Sequence, residues 1–296
     1  MQRTDTHTHT WYSGHGEGTP EEVVASALSL GLSTLAITEH MMMPPGFDDA
    51  GEFSLTAAQL PDYLRDVSAA QEAAQEAAQL AAPTTNQKLE ILLGTEVDWR
   101  VGAEAFVLAQ LQQAKLYYPR GYQIVLGSVH MLTGEVADDP LAWWPLDTPE
   151  AIDGFYERGL RYVWEHYVEH WIDAVTSKVN FTVMSHPDLP KKLGFKPDFD
   201  AGYLWQQMAE AAAAADCMIE LNTAGLFAPC AEVYPGPQLL AEFARAGVPC
   251  TISSDAHTPA NVSRAHAEAV TALLSAGYRQ VTVPTADGDR RTIPIT

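Results

Sequence analysis

The sequence is poor in basic residues. Only 17 of its 296 residues are Lys or Arg, whereas 38 are Asp or Glu, and the formal net charge is -21. Because nucleic acids and anionic membranes are bound mainly through Lys and Arg, this charge argues against both as partners. A small anionic substrate stays possible, since bound divalent cations would cancel part of the negative charge locally.

Cysteines and long apolar runs are also scarce. The three cysteines form no CxxC motif, so the sequence predicts neither a disulfide framework nor a cysteine-based metal site. No apolar run approaches the roughly 18 residues of a membrane span. The first residues, MQRTDTHTHT, lack the basic and apolar parts of a signal peptide. We therefore expect a cytoplasmic protein of the size of an enzyme.

Strand-like and helix-like segments alternate along the chain. The predicted strands are mostly apolar, as is typical of strands buried on both faces of a parallel sheet. They cover residues 4–9, 33–38, 89–95, 123–129, 180–185, 217–222 and 248–254. Seven strands in β-α alternation predict an α/β fold with a parallel barrel, in a single domain over residues 1–296. The segment Gln280–Pro284 could be an eighth strand or an edge extension.

The segments between the strands carry helix and loop signals. Thr19-Pro20-Glu21-Glu22 is a capping box with proline at the first helical position, so a helix begins there. Residues 149–175 predict one or two helices with an aromatic stripe. Residues 41–55 and 131–148 are punctuated by Pro and Gly, follow candidate ligands and have the length of a lid.

Seven of the ten histidines lie at or just past the ends of predicted strands. One carboxylate follows the third strand and another precedes the last of these histidines. A lone histidine beside an apolar run is usually structural, but so many at strand ends predict a shared site. The candidates are His7, His9, His15, His40, Glu96, His130, His186, Asp255 and His257.

The spacing of these residues suits the binding of metal ions. His7 and His9 are two apart on a strand and therefore point to the same side, so both imidazoles can reach one ion. The other candidates lie at the carboxyl ends of strands, which converge on one mouth of a β/α barrel. A site of several metals is used mainly for hydrolysis, usually of phosphate esters.

Six ordered stretches resemble one known family. They are GHGEGTPEE (14–22), GTEVDW (94–99), LGSVHML (126–132), SHPDLPKKLG (185–194), IELNTAGL (219–226) and SSDAHTP (253–259). With the initial HxH, they are similar to the PHP (polymerase and histidinol phosphatase) superfamily, and within it to the histidinol-phosphate phosphatases. The resemblance implies a distorted (β/α)7 TIM-like barrel, the PHP fold.

The resemblance also implies a site for three divalent ions, which could be Zn, Mn or Fe. The first ion would bind His7, His9, Glu96 and Asp255; the second would bind Glu96, His130 and His186; the third would bind His15, His40 and His257. Glu39 stands before His40, where much of the superfamily carries Asp. It could orient His40 or be a surface residue.

Two ions bridged by Glu96 can hold a hydroxide that attacks phosphorus, while the third offsets charge on the phosphate. Asp255 or a metal-bound water would donate the proton to the leaving alkoxide. Glu96, Asp255 and His257 are the predicted catalytic residues. The predicted substrate-binding residues are Lys192, Arg161, Glu17 and Asn222. Lys192 and Arg161 could equally be exposed surface charges, and Trp143 and Trp144 could bind substrate or pack a lid.

The predicted reaction is the hydrolysis of L-histidinol phosphate to L-histidinol and phosphate, a step of histidine biosynthesis. Three alternatives stay open. The chain could be a phosphoesterase for another small phosphomonoester or a nucleotide, a 3′–5′ exonuclease-like module, or a non-catalytic metal-binding module. The sequence does not indicate an oligomeric state.

Overall fold

The computed structural model describes residues 2–80, 88–133 and 143–295, with the side chains of 77–80 and 133 excepted. Part of the predicted lid 131–148 therefore lies outside the described residues. Of the described helices, none combines the length and apolar character needed to cross a membrane.

Seven parallel strands form the central sheet, in the order β1-β2-β3-β4-β7-β8-β9. The strands are β1 (Arg3–Asp5), β2 (Leu32–His40), β3 (Glu90–Asp98), β4 (Ile124–Ser128), β7 (Val183–Met184), β8 (Met218–Asn222) and β9 (Cys250–Ser253). The chain leaving β1 also bonds to the chain leaving β9: His9 N donates to Ala256 O over 2.8 Å and Asp255 N to His7 O over 3.0 Å. The sheet thereby nearly closes on itself, and the predicted seven-stranded parallel barrel is confirmed.

Eight α-helices surround this barrel in the described part of the chain. They are α1 (Pro20–Ser29), α2 (Leu60–Leu80), α3 (Glu104–Tyr117), α4 (Ile152–Arg158), α5 (Leu160–Val175), α6 (Gly202–Ala214), α7 (Pro237–Arg245) and α8 (His266–Ala276). The predicted capping box is present, because Thr19 and Glu22 each bond to the other's backbone N–H. The predicted helical region 149–175 forms two main helices, separated at Gly159, whose φ is 83°.

Two small antiparallel pairs accompany the barrel. One joins β5 (Met131–Thr133) to β6 (Trp143–Pro145), and the other joins β10 (Gln280–Pro284) to β11 (Arg290–Pro294). Gln280–Pro284 is therefore not an eighth barrel strand. It pairs with the segment that follows it, and its Val281 and Val283 are buried against the core outside the barrel.

The inside of the barrel changes from apolar to polar along the strands. One buried apolar cluster is formed by Ala36, Leu92, Ile124, Leu126, Val183 and Met218. Because residues two apart share a face of a strand, the residues that follow this cluster on the same face are the polar ones. On β3 the series is Leu92, Gly94, Glu96 and Asp98, and on β8 it is Met218, Glu220 and Asn222. The apolar layer thus closes one end of the barrel and the site lies at the other.

Candidate metal centre

The first group of converging side chains comes from β3 and from the segments that follow β1 and β9. His7 Nε2 lies 3.0 Å from His9 Nε2 and 3.1 Å from Glu96 Oε2. Asp255 Oδ1 lies 3.4 Å from His9 Nε2 and 3.6 Å from His7 Nε2. Ligand atoms bound about 2.1 Å from one tetrahedral ion lie roughly 3.4 Å apart, so these four side chains fit a single cation.

A second group shares Glu96 with the first. Its Oε1 atom lies 3.0 Å from His186 Nε2 and 3.8 Å from His130 Nε2, and the two imidazole nitrogens are 3.2 Å apart. Since the other carboxylate oxygen faces His7 and His9, Glu96 has the geometry of a bridge between two cation sites.

A third group of histidines lies beside the first. In this group, ligand atoms of His40 and His257 fall within 4.8 Å of each other and of a ligand atom of His9, which belongs to the first group. The His15 ring centroid is 4.6 Å from that of His257. His15 Nδ1 bonds to Ser13 O and His257 Nδ1 to Asp255 O, which leaves the Nε2 atom of each ring for the site. The structure therefore brings together all nine residues that the sequence singles out.

Buried carboxylates stand behind several of these histidines. Glu220 Oε2 lies 3.1 Å from His7 Nδ1, and Asp98 bonds to His130 Nδ1. Such partners fix the orientation of an imidazole and raise its basicity as a ligand.

Glu39 neither orients His40 nor lies at the surface, the two roles that the sequence left open. It is fully buried, its Oε1 atom accepts hydrogen bonds from the N–H and hydroxyl of Thr10, and its Oε2 atom lies 3.7 Å from His9 Nδ1. Residue 39 precedes His40 on β2, so its side chain points away from that of His40 and meets the neighbouring strand instead.

The electrostatics of the site favour ionised carboxylates. Burial alone would lower the pKa of His7, but the carboxylates of Glu96, Glu220 and Asp255 raise that pKa well above its ordinary value. Burial would raise the pKa of Glu96, and the histidines around it hold that pKa well below the usual range. Burial lowers the pKa of His257 to about 3, so its ring is neutral. Anionic oxygens and imidazole nitrogens gathered out of water are a donor set that fits divalent cations.

A cavity of about 910 Å³ opens above this centre. Of the four predicted substrate-binding residues, Lys192 lines it, and its Nζ atom lies 2.7 Å from Asp147 Oδ2. Asn222 is buried behind the wall, where its amide donates to Asp255 Oδ2 over 3.3 Å. Trp143 lines the cavity, whereas Trp144 is buried.

The other two predicted substrate-binding residues do not reach the cavity. The side chain of Glu17 is exposed. Only its backbone N–H contacts the site region, where it donates a hydrogen bond to His257 O over 2.7 Å. Arg161 lies on the outer face of α5, where it pairs with Glu165 at 3.4 Å and covers the ring of Phe199. The helix packs its opposite face on the barrel, so the prediction that Arg161 binds substrate is corrected.

A family model described as PHP domain matches residues 5–224. The chain belongs to the PHP domain family. It is 35% identical over 278 residues to a Deinococcus radiodurans protein named "Probable histidinol-phosphatase". The match covers 94% of this chain and 95% of that protein. It is 28% identical over 103 residues to histidinol-phosphatase of Bacillus subtilis, about a third of each chain.

A solved structure has the same fold. The crystal structure of histidinol phosphate phosphatase from Lactococcus lactis, complexed with zinc, L-histidinol and phosphate, matches with a TM-score of 0.74 at 20% identity. The match covers 96% of this chain and 97% of that one.

Two residues of the site, Asp98 and Asp147, were not among the predicted site residues. Asp98 follows Glu96 by two positions, so the spacing that pairs His7 with His9 also places Asp98 at the site and could have revealed it. Asp147 lines the cavity from a loop, where no periodicity indicates which way a side chain points.

Proposed function

We propose that this protein hydrolyses L-histidinol phosphate to L-histidinol and phosphate with three divalent ions. The observation that carries the proposal is the convergence of nine ligand residues at the mouth of one barrel. Support for the substrate comes from the relatives. The Deinococcus protein is named as a histidinol-phosphatase, and the Lactococcus structure of the same fold contains zinc, L-histidinol and phosphate. A place in histidine biosynthesis and a cytoplasmic location follow from this proposal as predictions.

Each ion would be held by one of the three groups. The first would lie among His7, His9, Glu96 and Asp255, the second among Glu96, His130 and His186, and the third among His15, His40 and His257. When bound, zinc, manganese or iron ions lower the pKa of water to near neutrality and offset negative charge on a phosphoryl group.

The chain's own groups would then position the substrate and move the proton. Lys192 lines the cavity and supplies a cation for phosphate oxygens. Burial would raise the pKa of Asp255, but His7, His9 and His257 hold it well below the usual range, so the carboxylate is ionised. We assign to this carboxylate the uptake of the proton that water loses in the attack and its return to the leaving alkoxide. His257, with a neutral ring, would serve as a ligand.

The size of the cavity favours a second candidate function. A space of about 910 Å³ can hold a drug-sized ligand. It therefore also suits a larger phosphomonoester, such as a sugar phosphate or a nucleotide.

Phosphate release separates these two functions. The metal-loaded protein is given L-histidinol phosphate, sugar phosphates, nucleotides and p-nitrophenyl phosphate, with its metal content recorded. We expect kcat/KM for L-histidinol phosphate to exceed the others by at least about a hundredfold, which is roughly 2.7 kcal/mol of transition-state discrimination. Weak and even activity across the panel would reject histidinol phosphate as the substrate. The protein would then be a phosphoesterase for another small phosphomonoester.

A further inference from the structure

One ion pair stands in the wall of the cavity. Lys192 Nζ lies 2.7 Å from Asp147 Oδ2, and the Asp147 side chain is only 19% exposed. Burial alone would raise the pKa of Asp147, but Lys192 and nearby histidines lower it, so the carboxylate is charged. The pair is therefore a neutral but strongly polar element next to the metal centre.

The backbone fixes this pair beside two of the ligand histidines. Leu146 N donates to His130 O over 2.9 Å, which places Asp147 next to His130. Leu189 N donates to His186 O over 3.1 Å and begins the short helix Leu189–Leu193 that carries Lys192. The ion pair thus joins the loop after β6 to the helix after β7, at the edge of the Glu96–His130–His186 group.

The surrounding wall is largely apolar and includes five aromatic rings. Phe47, Phe53, Trp143, Phe227 and Tyr234 line the same cavity. The organic part of a bound phosphate ester would therefore meet apolar rings, apart from the charged groups of the ion pair and a few other polar side chains.

Charge balance limits what can enter next to this pair. A phosphate group that bonds to Lys192 competes with Asp147 for the ammonium, and a partly buried carboxylate that loses its cation is costly. The cost disappears when the substrate itself carries a cation close to its phosphate. Each of the four charges then has a partner of opposite sign, with the phosphate on Lys192 and the substrate cation on Asp147.

We propose that Asp147 is a specificity-determining residue for phosphomonoesters that carry an amine on the carbon next to the ester carbon. This inference rests on the proposed function. It adds which group of the substrate, the amine, the protein recognises. L-Histidinol phosphate has such an amine, and its imidazole would face the aromatic wall.

The test compares two phosphates that differ only in the amine. They are L-histidinol phosphate and 3-(imidazol-4-yl)propyl phosphate, in which hydrogen replaces the amino group. We expect the wild-type kcat/KM to favour the amine by about tenfold to a hundredfold, as is typical of one charged hydrogen bond. In Asp147→Asn the ratio falls toward one, because KM rises for the amine substrate and not for the other.

A second readout does not depend on turnover. Binding of the product L-histidinol, measured by calorimetry, weakens in Asp147→Asn by a similar factor and recovers in Asp147→Glu, while the metal content is unchanged. Glu150→Gln is the matched control, because Glu150 lines the same cavity and its carboxylate bonds to the Thr148 side chain, whereas Lys192 pairs with Asp147. That variant keeps the wild-type ratio between the two phosphates.

The outcomes distinguish this inference from the proposed function. If the wild type hydrolyses neither compound, the proposed function fails and the inference fails with it. If the wild type hydrolyses both equally, or if Asp147→Asn slows both by the same factor, only the inference fails, and Asp147 has a structural role.

Discussion

The two sides of the site are built differently. The metal centre takes its side chains from barrel strands and the residues just after them, and most of these side chains are buried. The rest of the cavity wall includes Phe53, Asp147 and Phe227 from connecting segments, and both phenylalanines are more than half exposed. The strands hold the chemistry in rigid positions, whereas the loops present the groups that contact the rest of a substrate.

This difference indicates where each property of the protein resides. Changes on the strand side should alter metal binding and the rate of reaction, since one carboxylate there contacts several imidazoles. Changes on the loop side should alter substrate affinity and leave the metals in place.

Glu96→Gln should abolish phosphate release. Glu96 Oε2 faces His7 and His9 while Oε1 faces His186, so its loss affects two cation sites at once. The decrease should be well over the roughly 100-fold that loss of an outer partner of a metal ligand costs. Phosphate release and elemental analysis measure the two effects, and circular dichroism checks the fold.

Glu90→Gln is the matched control for that variant. Glu90 lies at the start of the same strand, where its side chain meets Ala286 N and Arg291 away from the site. We expect wild-type metal content and activity. If Glu96→Gln also kept both, the assignment of the metal centre would be wrong.

Asp98→Asn should lower metal affinity by about 10-fold to 100-fold. Asp98 bonds to His130 Nδ1, and an amide in its place no longer attracts that proton strongly. Titration of the metal-free protein with zinc would show the weakened binding directly. Asp173→Asn is the control, because Asp173 accepts a hydrogen bond from Trp99 Nε1 over 2.9 Å and contacts no histidine of the site. Equal zinc affinity in both variants would mean that Asp98 does not support His130.

The fold and the metal centre could be predicted because both depend on periodic patterns. Apolar runs of strand length and residues two apart on a strand carry their orientation in the sequence, so His7 and His9 could be placed together without coordinates. The end of the chain was ambiguous, since a run such as Gln280–Pro284 can join the barrel or pair with β11. The pairing partner of this strand is the segment that follows it, β11. The sequence of the strand alone therefore does not indicate where the strand pairs.

Charged residues outside the strands could not be placed in this way. Lys192 and Arg161 both stand on helical segments near predicted ligands, and the sequence treats them alike. The structure separates them, because Lys192 faces the cavity while Arg161 faces outward. Which face of a helix packs on the barrel depends on neighbouring elements, and one side chain on its own does not reveal it.

Lys192→Ala should raise KM for L-histidinol phosphate by about tenfold, with metal content unchanged. The change removes a charged hydrogen bond to phosphate, which contributes about 1.5–3 kcal/mol, and part of this is recovered because Asp147 becomes free for the substrate amine. Steady-state kinetics and elemental analysis on the same sample separate the two properties. A loss of metal with an unchanged KM would place Lys192 with the metal centre rather than with the substrate wall.

Arg161→Ala should change neither kinetic constant beyond experimental error. Its guanidinium contacts Glu165 and the ring of Phe199 on the outer face of α5, and an exposed pair of this kind contributes about 0.3–0.5 kcal/mol to stability. The expected result is a melting temperature lowered by at most about 2 °C. Because Arg161 and Lys192 have the same charge and follow similar sequence signals, the pair of alanine variants is a direct test of orientation. A KM that rises as much in Arg161→Ala as in Lys192→Ala would show that α5 takes part in binding the substrate.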